Sequence, residues 1–105
     1  MKPANNAPLY AGFYSELAEI TRKHGYCLAV HGSLARDLDL IAVPWTDEAP
    51  EAQVVVDAIL AEFALQTVGA PSIKSHGRIC YTLVVSFGDC FIDLSFMPLL
   101  PKGSE

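Results

Sequence analysis

The sequence predicts an α/β (α+β) domain: a mixed, mainly antiparallel four-stranded sheet with two helices packed on it, in the order α-β-β-α-β-β. Three observations lead there. Apolar residues recur at helical spacing in two segments, four short apolar runs read as strands, and Gly, Pro and Ser punctuate the stretches between them. A chain of 105 residues with 51% hydrophobic and 18% charged residues can bury a single core and is not a disordered tail. Residues 1–105 are therefore read as one domain, with 1–7 and 98–105 as loose ends.

Pro3 to Ala7 is a short polar lead. Leu9, Phe13, Leu17 and Ile20 then follow a helical period, and Tyr10 and Tyr14 widen the stripe. Arg22-Lys23-His24 is a basic last turn and Gly25 a glycine stop, so the first helix is expected over about 8–24. "YCLAVHG" is a short apolar run and a strand. "DLDLIAVP" is a second strand, ended by Pro44, which has no N–H to give a ladder. Only Leu34, Ala35 and Arg36 separate Ser33 from Asp37, so these two strands form a tight antiparallel hairpin. Thr46 or Asp47 is placed to cap the second helix, with Asp47, Glu48 and Glu51 near its positive end. Val55, Ala58, Ile59, Glu62 and Phe63 carry that helix to about Leu65. "QTVGAPSIKSHG" reads as a loop. "RICYTLVVSF" and "CFIDLSFMP" are the last two strands, with Gly88-Asp89 as the turn between them.

The formal charge is −5, and no basic run is longer than Arg22-Lys23. An extended nucleic-acid surface needs many cationic contacts to phosphate, so that class is set aside. A small anionic ligand whose charge a metal neutralises stays compatible. Cys27, Cys80 and Cys90 are odd in number and have no C-x-x-C spacing, so they read as free thiols in apolar runs. The leading residues contain no apolar stretch of signal-peptide length, and no run would span a bilayer. A cytoplasmic protein with no membrane partner is expected. Ten aromatic residues on so small a domain suggest surface hidden in a homodimer.

The chemistry concentrates in "HGSLARDLDLIAVPW", residues 31–45. Asp37 and Asp39 are two apart on a strand and so share one face. Asp93 sits between Ile92 and Leu94 in "FIDLS", an odd place for an unpaired charge. If strands 37–43 and 91–96 are neighbours, the three carboxylates meet, repel, and call for a cation. Mg²⁺, or Mn²⁺ in its place, suits oxygen ligands and leaves positions for water and phosphate. The plainer account has Asp37 bonding local turn backbone and Asp93 paired with Arg78 or Arg36.

Gly32-Ser33 lies just before the carboxylate pair. A glycine lets backbone N–H groups approach a phosphate, and the Ser hydroxyl adds a donor. Arg36 in the same turn either clamps a phosphate or neutralises Asp37. His24, Cys27 and His31 have a loose zinc-like spacing without a fourth ligand, and His31 reads better as a residue that lines the mouth of a pocket or bonds backbone. No nucleophile elbow or Ser-His-Asp pattern is present. Lys74, His76 and Arg78 surround a glycine-containing loop and form either a solvated face, the commoner case, or, through Lys74 and Arg78, a movable cationic lid for a triphosphate.

Taken together, Gly32-Ser33, Asp37-Leu38-Asp39 and Asp93 resemble the nucleotidyltransferase superfamily. That is the fold shared by DNA polymerase beta, antibiotic nucleotidyltransferases and the small minimal nucleotidyltransferases. The resemblance covers about residues 26–97 and is greatest to short members encoded by bacteria and their phages. It implies transfer of a nucleoside monophosphate from a nucleoside triphosphate to a hydroxyl acceptor. Asp37 and Asp39 would bind Mg²⁺ with the triphosphate, Asp93 would hold a second ion and help deprotonate the acceptor, and Gly32 and Ser33 would hold phosphates. In such two-metal catalysis the ions stand about 3.5–4 Å apart across an in-line displacement. The family usually has a longer segment between Gly-Ser and the first Asp, where this chain has three residues. That shortening favours an alternative, a catalytically silent module that binds a nucleotide or a protein partner.

Overall fold

The computed structural model describes residues 7–32, 37–85 and 90–101. Helix α1 (Ala7–Lys23) is followed by β1 (Tyr26–His31), β2 (Asp37–Pro44), α2 (Ala52–Glu62), β3 (Leu65–Thr67), β4 (Ser72–Ile73), β5 (Ile79–Val85) and β6 (Phe91–Phe96). The fold is mixed α+β, with two helices and an open, mostly antiparallel sheet. The sheet has six strands and not four: its order is β1-β2-β6-β5-β3, with β4 also paired to β5.

α1 follows its apolar stripe. Tyr10, Leu17 and Thr21 are buried, and Phe13, Tyr14, Ala18 and Ile20 pack beside them. The helix stops at Gly25, whose φ of +83° is the left-handed conformation that ends helices. A Cβ there would also stand 2.6 Å from Thr46 Cγ2, so the turn after β2 presses on the same glycine.

α2 starts later than its acidic prelude suggests. Thr46 closes a separate turn, accepting from Glu48 N at 3.3 Å through its hydroxyl and from Ala49 N through its carbonyl. Pro50 intervenes, Glu51 takes the cap position without a side-chain bond, and the helix runs from Ala52 to Glu62. Leu65 belongs to β3. The stretch expected as a loop, 66–77, contains part of β3 and all of β4. These strands are two and three residues long, so they carry no internal period for a sequence reading to detect. Pairing with β5 creates them.

β1 and β2 form the expected antiparallel hairpin, in the register Tyr26↔Pro44 to His31↔Asp39. Tyr14 donates its hydroxyl to Leu28 O at 2.7 Å, so that carbonyl points away from β2 and is capped by α1. By the alternation of antiparallel ladders, Tyr26↔Pro44 is in the same non-bonded phase as Leu28↔Ala42. Proline is tolerated there because β1 demands no N–H from it. The Trp45 N–H resumes the ladder on Gly25 O at 3.0 Å.

The helices bury one face of the sheet, and on the other only the Cys80 and Ser95 positions are buried among the described residues. Leu38, Leu40 and Ala42 of β2, Leu83 of β5, and Ile92, Leu94 and Phe96 of β6 form the core with Val55, Val56 and Ile59 of α2. Tyr26 and Tyr81 meet Phe96 edge-on, with ring centroids 5.4 and 5.8 Å apart. The opposite face of the sheet carries Cys27, Ala29 and His31 exposed on β1 and the three predicted Asp positions on β2 and β6. The helices cover one face and leave the other open. Among the described residues, no helix is long and apolar enough to cross a membrane.

Candidate functional site

The open face is built from cross-strand rows, because register partners point the same way. Among the described residues β2 and β6 are the one parallel pair, and their register sets Asp39 opposite Asp93. β1 adds His31 beside Asp39, and β5 adds Thr82 beside Asp93. One row therefore reads His31, Asp39, Asp93, Thr82 across four strands. The next row, two residues along, includes Ile41, Ser95, Cys80 and Ser72.

Thr82 Oγ1 donates to Asp93 Oδ1 at 3.0 Å, which fixes one carboxylate oxygen and leaves the other side of that group toward Asp39. Burial is the largest influence raising the Asp39 carboxyl above its ordinary range. The Asp93 charge and a hydrogen bond shared with Asp93 push the same way, His31 opposes, and Asp37 adds the smallest upward push. Asp39 and Asp93 thus act as a carboxylate pair. Asp37, paired across the sheet with Phe91, is exposed and contributes at longer range. Among the described residues, no three or more His, Cys, Asp and Glu side chains gather into a metal-holding group.

Gly32 stands against this pair. Its φ is +93°, and a Cβ on it would lie 2.9 Å from Asp39 Oδ2. The glycine lets the backbone after β1 pass close to the carboxylate. Ser33 and Arg36 lie outside the described residues, as does the predicted Gly88-Asp89 turn.

The dyad opens into a cleft of about 280 Å³ that reaches Arg78 and Lys74. These two flank the tip of the β4–β5 hairpin, where Lys74 N donates to Arg78 O at 2.7 Å. A three-residue turn, Ser75–Gly77, joins them, with His76 at φ +63°. Arg78 does not pair with Asp93. Its Nη1 donates to Ser95 Oγ at 3.4 Å and its Nε to Ser75 O at 3.3 Å, and the ion pair seen among the described residues is Arg22–Glu19. His31 lines the cleft as expected, whereas the ring of His24 bonds Ile20 O instead of joining a zinc set.

Thr82 and Ser95 were not singled out from the sequence, although a signal for them exists. Both are polar residues at alternate positions of otherwise apolar strands, "ICYTLVV" and "FIDLSF", on the same face as Asp93. Compared with protein-family models, curated proteins and solved structures, the chain matches none.

Proposed function

We propose that this protein is a nucleotidyltransferase-like domain that moves a nucleoside monophosphate from a nucleoside triphosphate to a hydroxyl acceptor. The observation that carries the reading is the Asp39–Asp93 pair, two adjacent carboxylates at one register position on the uncovered face of the sheet. Such a pair gains from a cation, and Mg²⁺ is commonly bound by one or two carboxylates together with substrate phosphates. The donor set fits, with Asp37 on the same face for a ligand that bridges further. Mg²⁺ or Mn²⁺ would supply charge neutralisation at the phosphates.

The chain's own residues have separable tasks. Thr82 holds Asp93 in place, and Asp93 would accept the acceptor's hydroxyl proton. The acceptor oxygen forms a bond to the α-phosphorus, the bond from that phosphorus to the leaving oxygen breaks, and pyrophosphate departs. Gly32, whose backbone passes close to Asp39, would lie toward the phosphates.

The test uses α-labelled nucleoside triphosphates, Mn²⁺ and a set of hydroxyl acceptors. Label should move to an acceptor with release of pyrophosphate, and Asp39→Ala should abolish both. Ser33→Ala should only weaken them, because backbone donors remain. The three-residue spacing between Ser33 and Asp37 favours one other reading, a silent module that binds a nucleotide or a protein partner. Binding of triphosphate with metal, without transfer or pyrophosphate release, would establish that reading in place of the first.

A further inference from the structure

The cleft has two chemically different ends. At the dyad end are Asp39 and Asp93. At the other are Arg78 and Lys74, held together by the hairpin turn, with the buried Ser95 hydroxyl between. Strands rise about 3.3 Å per residue, so the Ser95 row lies about 7 Å from the Asp93 row. Gly32 is on the far side of the dyad, at the opposite end of the strands from Arg78: it adjoins the start of β2, whereas Arg78 lies beyond the last residue of β6. A triphosphate lying toward Gly32 leaves the Arg78 end to a different molecule.

From this we infer that the Arg78 end is an anion subsite for the acceptor. The acceptor is then a small hydroxyl compound carrying a phosphate or carboxylate about 7 Å from the reacting oxygen. Arg78 spends two of its N–H groups on Ser95 and Ser75, which sets the guanidinium in place and leaves further donors for an anion. Ser95 accepts from Arg78 and keeps its own proton to donate. Lys74 adds charge from the rim. The acceptor assignment rests on the transferase reading, whereas the anion site itself does not.

Two measurements separate those dependencies. In the first, the protein without nucleotide or metal is titrated with inorganic phosphate and followed by amide NMR. Shifts should centre on Ser72, Cys80 and Ser95 and vanish in Arg78→Ala and in Arg78→Gln, the second guarding against a folding defect in the first. No shifts, or shifts confined to the Gly32 end, would overturn the subsite. In the second, labelled triphosphate with Mn²⁺ is offered glycerol, 5-hydroxypentanoate and glycerol 3-phosphate, the last two long enough to set an anion about 7 Å from a hydroxyl. A charge-assisted contact should favour the anionic acceptors over glycerol by about tenfold to a hundredfold. The better of the two shows whether carboxylate or phosphate is preferred. Arg78→Gln should erase that preference by raising KM for the acceptor while KM for the triphosphate holds. A change in KM for the triphosphate instead would overturn the acceptor assignment. Phosphate shifts with no labelling of any acceptor would keep the anion site and remove the transferase reading.

Discussion

The fold shifts the protonation of Asp39. Because burial and the Asp93 charge raise its carboxyl above the ordinary range, the folded protein keeps a proton that the unfolded chain has already lost. Its stabilising contribution is therefore full in acid and is lost as pH rises through the folded value. Asp39→Asn removes the repelling charge, so in metal-free buffer its melting temperature should exceed the parent's at neutral pH. The gap should close as pH falls below about 4, where the parent's carboxyl is neutral as well. A gap that widens in acid would mean that the charge is stabilised by a partner. Gly32→Ala acts on the same carboxylate by steric means. The left-handed backbone should cost about 1–2 kcal/mol, and the methyl would push Asp39 Oδ2 from its place. Denaturant melts check the first effect, and loss of Mn²⁺ binding by titration calorimetry checks the second. Gly32, Asp39 and Asp93 stand out in the sequence as candidates because they break local expectation: a glycine before a carboxylate pair, and a charge inside an apolar strand. Thr82 and Ser95 also interrupt apolar strands, but a small hydroxyl brings no charge to bury, so the interruption is weak, and the register of β5 against β6 is what sets Thr82 beside Asp93.

At the scale of elements, α1 is tied to the strand that carries Asp93. The Phe91 N–H donates to the buried Tyr10 hydroxyl at 3.1 Å, which anchors the start of β6 to the helix. Tyr10→Phe leaves that donor without this acceptor and should lower unfolding free energy by about 1–3 kcal/mol in a denaturant titration. The hairpin that presents Arg78 has the opposite character. His76 holds a left-handed φ of +63°, uncommon for a residue with a side chain, and glycine adopts it without steric cost. His76→Gly should be neutral or stabilise by about 0.5–1 kcal/mol, and a loss of more than that would show that the imidazole makes a stabilising contact. Elements with a period are legible in the sequence: the α1 stripe and the alternations of β2 and β6 are visible as patterns. The α2 start was not, because Thr46 followed by acidic residues is as good a turn as a helix cap, and only Pro50 and the packing of Ala52 onward distinguish them.

For the whole molecule, the open face makes metal and stability a single question. A cation that binds the native carboxylates and not the unfolded chain stabilises by mass action, about 2.7 kcal/mol at a hundred times its dissociation constant. Mn²⁺ should raise the parent's melting temperature, more with a nucleoside triphosphate present, and should do little for Asp93→Asn. That variant keeps an oxygen for the Thr82 hydroxyl, so it should melt at or above the parent in metal-free buffer. A large loss there would assign Asp93 a structural role.

The sequence by itself determined the fold class, the two long helical and strand patterns on each side of residue 50, and the identity of the carboxylates. Each of these rests on local information: a period of burial, a capping glycine, or a charge where apolar residues are expected. The tertiary structure alone decided that β2 and β6 run parallel as neighbours, and so that Asp39 meets Asp93 while Asp37 stands one step aside. It also decided that Arg78 turns to Ser95 instead of neutralising Asp93, and that residues 65–73 contribute two further strands. Strand partnership and register depend on contacts between segments far apart in the chain. No window of sequence contains both partners, so the pairing follows from which faces bury together.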